Sequence, residues 1–75
     1  MIRDRVLAIL AAQARVPVQA LDLSLPPAAQ GLDSVAMVEA LFAIEEAFDR
    51  ALPYEAEQAP ATLGDFLTLI EARLS

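Results

Sequence analysis

The sequence predicts an all-α fold: a small four-helix bundle of three main helices and one short one, with a long first loop. Three observations carry that reading. Apolar residues recur at helical spacing in three segments, and prolines and capping residues fall between those segments. The length of 75 residues, 8.0 kDa, leaves room for one domain spanning residues 1–75.

Residues 2–14 predict the first helix. Ile2, Val6, Ile9, Leu10 and Gln13 fall on one side, with Arg3, Arg5 and the alanines elsewhere. Pro17 stops it, because the residue before a proline avoids helical backbone. From Val16 to Asp33 runs a connection holding Pro17, Pro26, Pro27 and Gly31. Loops of that length in small domains usually serve a function. Leu21, Leu23, Leu25 and Leu32 predict that this one lies against the core. Asp33–Arg50 predicts the second helix, with Asp33 as N-cap and Arg50 as a cation in the last turn. Pro53 closes it, and residues 54–59 predict one short helical turn before Pro60. Thr62 and Asp65 form a capping box with Asp in place of Glu. Behind them, Leu63, Phe66, Leu67, Ile70 and Leu74 form the apolar stripe of a last helix.

Composition then removes whole classes of chemistry. Hydrophobic residues make up 57%, but 16 positions are alanine, so the core is thin. Without Cys there is no disulfide framework and no thiolate metal site. Without His or Lys the chain lacks the commonest general base, the commonest zinc ligand and a Schiff-base amine. Its aspartates show no spacing of a calcium loop, and no metal site is expected. A self-sufficient enzyme is not expected. Five Arg against 11 Asp and Glu give a net charge of −6, which disfavours nucleic acid and anionic membranes and favours basic partners. Mean hydropathy is +0.49, yet no run approaches the roughly 18 apolar residues of a membrane span. With no signal peptide in view, the reading is a cytoplasmic, monomeric protein without membrane insertion.

The informative stretch is Gly31-Leu32-Asp33-Ser34-Val35, where the proline-rich loop meets the second helix. With Asp33 as cap, Ser34 is the first helical residue. Its hydroxyl then faces solvent beside unpaired backbone N–H groups, where a negative group is favoured. A phosphate ester on Ser34 would sit where the helix tolerates it best. Gly31 permits a tight turn and leaves room for an enzyme to approach. Asp-Ser pairs are also ordinary caps, so this pattern alone decides nothing.

That stretch, followed by Val38-Glu39 and by Glu45-Glu46-Ala47-Phe48, resembles the acyl carrier protein family. The likeness extends over the long loop, the acidic second helix, the Pro53 break and Thr62. It implies an acyl-carrier-protein-like fold, and 4′-phosphopantetheine held on Ser34 through a phosphodiester. It implies acyl groups carried as thioesters on the arm's terminal thiol, so thiol chemistry needs no cysteine of the chain's own. Implied partners are a phosphopantetheinyl transferase and the acyl-activating, condensing or acyl-transferring enzymes of fatty acid, polyketide or related acyl-lipid synthesis. Val35 stands where the family usually has Leu, and Pro26-Pro27-Ala28-Ala29 where it more often has an acidic or aromatic residue. A fatty chain entering the bundle would be lined by Leu41, Ile44, Phe48 and Phe66.

At about 100° per residue, Met37, Leu41, Ile44 and Phe48 share one arc of the second helix and predict its buried stripe. Val35, Glu39, Phe42 and Glu46 share another, with Val38 and Glu45 between them. Together with Asp33 they form the candidate partner-binding surface, suited to a basic, partly apolar docking face. The bland alternative is that Val35 and Phe42 flank the core while the glutamates are solvated. Tyr54 reads as a packing residue, and Glu55 and Glu57 as solvated charge. Two other readings compete: a peptidyl or aminoacyl carrier, and an acidic helical interaction module with no prosthetic group. Leu32 before Asp33, with Glu39, Glu45, Glu46 and Asp49 after it, favours the acyl version over the peptidyl one.

Overall fold

Three α-helices carry the structure, a computed structural model in which residues 1–52 and 60–74 are described. They are α1 (Ile2–Ala14), α2 (Ser34–Phe48) and α3 (Leu63–Leu74). α1 packs against both others. The short turn expected at 54–59, Tyr54, Glu55, Glu57 and the Pro53 break lie outside the described residues. No helix among those described is long and apolar enough to cross a membrane.

The apolar stripes meet in one core. α1 contributes Val6, Leu10 and Ala11, α2 contributes Met37, Ala40, Leu41 and Ile44, and all five stripe residues of α3 are buried. Phe66, at 0% exposure, is the largest fully enclosed side chain among the described residues, and burying such a ring contributes roughly 1.5–3 kcal/mol. Ile2, Ile9 and Phe48 are half-buried at the edge. Ala11 and Ala40 were not expected in the core. Alanine gives little apolar signal, yet where helices pack closely a small side chain suffices.

Helix ends follow local chemistry, with one correction. α1 ends at Ala14 as predicted. Arg15 adopts left-handed backbone (φ 60, ψ 43), and the Val16 N–H donates to the Ala11 carbonyl at 3.1 Å. α2 ends at Phe48, not at Arg50. Asp49 turns left-handed (φ 53), and the Arg50 N–H reaches back to the Glu45 carbonyl at 3.0 Å. Arg50 therefore stands beyond the last turn, its guanidinium donating to the Arg73 carbonyl at 3.3 Å. At α3 the Thr62 hydroxyl accepts the Asp65 N–H at 3.1 Å, the N-cap half of the expected box.

The first loop is more ordered than its prolines suggested. It holds two 3-10 turns, Val18–Ala20 and Pro27–Gln30, each entered from a proline in extended conformation. Gln30 braces it: its Oε1 accepts the Asp22 N–H at 2.8 Å, and its Nε2 donates to the Asp22 carbonyl at 2.7 Å. Leu32 is buried, and Leu21 and Leu23 are half-buried, as predicted. Leu25 is not; its side chain is exposed. Its backbone makes the contact instead. The carbonyls of Leu25 and Leu23 accept the N–H groups of Leu63 and Gly64, both at 2.9 Å, supplying acceptors to the start of α3. A Cβ on Gly64 would lie 3.0 Å from the Leu23 carbonyl, which explains the glycine there.

Candidate functional site

Ser34 is placed by the residues before it. Gly31 takes a positive φ of 84°, which no side chain tolerates easily, and rests on Ala14 at the end of α1. Leu32 then drops into the core at 1% exposure and anchors the loop's return. Asp33 follows in extended conformation, its Oδ1 accepting the Ala36 N–H at 2.8 Å and its carbonyl accepting the Met37 N–H at 2.9 Å. Ser34 is thus the first residue of α2. It is exposed, and its hydroxyl makes no hydrogen bond among the described residues.

A shallow groove of about 190 Å3 opens beside it. Pro26, Pro27, Ala28, Leu32, Met37 and Pro60 line it together with Asp33 and Ser34. The prolines that stood out in the sequence therefore shape an apolar, stiff rim next to Ser34. Sequence periodicity gave no sign of this groove, because Pro60 joins the loop and the start of α2 only in the folded chain.

Along the outer side of α2, Val35 is 67% and Phe42 63% exposed, and Glu39 and Glu46 are exposed with them. These four lie on one side of the helix and Asp33 at its head. Glu45 does different work: its Oε2 accepts the Leu52 N–H at 2.6 Å. A notch of about 210 Å3 between Val38, Leu41, Phe42, Glu45 and Leu52 interrupts the strip. The four residues expected to line a space for a fatty chain share the one core, with Leu41, Ile44 and Phe66 buried in it and Phe48 packed against its edge. Leu41 also lines that outer notch, and Phe48 lies under the Arg5 guanidinium. Arg15, which the sequence reading passed over, lines a further groove with Asp33 and Glu39.

Comparison with known proteins decides the family. Residues 4–70 match the model of the phosphopantetheine attachment site. The chain belongs to that family. Its prosthetic group is 4′-phosphopantetheine. Over 43 residues the chain is 49% identical to a protein of Prochlorococcus marinus (strain MIT 9515) described as acyl carrier protein. That match covers 57% of this chain and 54% of the relative, so the chain spans about half the length of the relative it matches. No solved structure matches.

The residues present fit the group. A phosphodiester needs a hydroxyl that an enzyme can reach and a setting that tolerates negative charge. The exposed, unbonded Ser34 at the positive end of a 15-residue helix offers both.

Proposed function

We propose that this phosphopantetheine carrier domain is an acyl carrier, with the arm attached at Ser34, serving enzymes of fatty acid, polyketide or related acyl-lipid synthesis. The single observation that carries the reading is the free Ser34 hydroxyl at the head of α2, held out by the Asp33 cap. When bound, the prosthetic group supplies a terminal thiol that carries acyl groups as thioesters. The chain's own residues do the rest. Leu32 and Asp33 fix the direction of Ser34, and the groove of Pro26, Pro27, Leu32, Met37 and Pro60 would hold the apolar part of the arm next to the phosphate. The tether raises the effective concentration of cargo at each partner.

Docking falls to the outer side of α2. Val35 and Phe42 supply apolar contact, and Asp33, Glu39 and Glu46 supply charge for a basic partner surface. Incubation with coenzyme A and a phosphopantetheinyl transferase, read by intact mass, tests attachment: the chain gains one phosphopantetheine. An unchanged mass with several transferases would end the reading. Loading the product with acyl-activating and with adenylating enzymes then separates acyl from aminoacyl cargo, and the acyl enzymes are expected to load it.

A further inference from the structure

A groove between the end of α1 and the start of α2 brings residues of α1 beside the docking side of α2. It measures about 460 Å3, and Gln13, Arg15, Asp33, Val35 and Glu39 are among its walls. Three of the other four arginines have work inside the fold. Arg3 pairs with Glu71, Arg5 reaches the Ala47 carbonyl and the Phe48 ring, and Arg50 reaches the Arg73 carbonyl. The Arg15 guanidinium has no hydrogen bond or ion pair among the described residues, although two carboxylates line the same groove. The backbone does not call for arginine either, since φ 60 is a place for glycine or asparagine. A cation does suit the negative end of α1, but that effect concerns stability alone.

Asp33 and Val35, on either side of Ser34 in sequence, both line this groove. An enzyme that reaches Ser34 therefore covers it and strips water from Arg15. A charge stripped of water requires an opposite charge. A contact surface made only of cations, which the carboxylates of α2 otherwise favour, would set like charge against Arg15.

We infer that Arg15 is a specificity-determining residue that admits to Ser34 an enzyme placing a carboxylate opposite it, beside the basic side chains that meet Asp33 and Glu39. The occupant is the phosphopantetheinyl transferase, the first partner that the bare hydroxyl must meet. This inference rests on Ser34 being the attachment residue.

The test takes, from a panel, the transferase that loads the wild-type chain most efficiently, and measures kcat and KM by intact mass. Arg15→Glu is expected to raise KM tenfold or more with kcat within twofold, while Arg15→Lys keeps most of the efficiency. Arg73→Glu makes the same change in net charge near Arg50, beyond the opposite end of α2, and is expected to stay within twofold of wild type. Arg15→Gly is expected to raise KM while melting no lower than wild type, which separates recognition from folding. Loading of Arg15→Glu as good as or better than wild type, or a loss matched by Arg73→Glu, overturns the inference while Ser34 stands. A wild-type chain that gains no mass overturns the Ser34 reading and this inference with it.

Discussion

At its C-terminal end α2 is tied to residues outside the helix, Arg5 and Leu52 among them; at its N-terminal end it is closed by its own cap. Arg5, from α1, donates to the Ala47 carbonyl at 3.2 Å and stacks 4.5 Å from the centre of the Phe48 ring. Glu45 holds the Leu52 N–H, and the Arg50 N–H holds the Glu45 carbonyl. At the other end a single side-chain bond, Asp33 to the Ala36 N–H, closes the helix above the buried Leu32 and Met37. The difference teaches how so small a bundle leaves a reactive position open. The long-range fastening lies at the end away from Ser34, and the Ser34 end is capped locally, so a group added to its exposed hydroxyl breaks no long-range contact.

Variants that unfasten either end sharpen this contrast. The largest effect is expected from Glu45→Ala, which leaves the Leu52 N–H without its acceptor and costs about 1–3 kcal/mol. Urea denaturation checks it, and loading at Ser34 well below the transition should be unchanged. Asp33→Ala is expected to cost about 1 kcal/mol, with Asp33→Asn recovering most of it. A loss from Asp33→Ala as large as that from Glu45→Ala would erase the distinction between the ends. Arg5→Gln, which removes the stacked cation, is expected to cost about 0.5–1 kcal/mol, read as a small fall in Tm.

The smallest effect lies in the first loop. Two hydrogen bonds from Ser24, first its hydroxyl and then its N–H, hold the Asp22 carboxyl below the ordinary value of 3.8, with slight burial opposing them. A lowered value in the folded state gives a stabilisation that is present above pH 3.8 and lost as pH falls through the lower folded value. Asp22→Asn is expected to flatten the acid limb of the stability curve in that window and to leave neutral pH little changed. An identical slope in wild type and variant would contradict this.

Much of the fold was legible because it rests on local signals. Pro17 and the 3.6-residue pattern placed α1 at its observed limits, the α3 stripe was buried as spaced, and Asp33 caps as its position demands. What escaped depends on contacts between distant segments or on backbone that no residue type announced. Asp49 ends α2 in left-handed backbone without the glycine that marks such ends, so the expected helix ran two residues too far, to Arg50. Leu25 was judged by its side chain, whereas its carbonyl does the binding. Within the site, Ser34 and the outer strip could be read from helical geometry. The proline-lined groove and the groove that Arg15 shares with Asp33 could not, because each gathers residues from segments that meet only in the folded chain.

The carrier role depends on which hydroxyl takes the arm. The chain has three serines, and Ser24 already donates its hydroxyl to Asp22 at 2.6 Å. After transfer from coenzyme A, fragmentation mass spectrometry of the intact chain should find the whole added mass on residue 34. Ser24→Ala should then load like wild type, and Ser34→Ala should not load at all. Phosphopantetheine found on any other residue, or a Ser34→Ala chain that still gains it, would contradict the account.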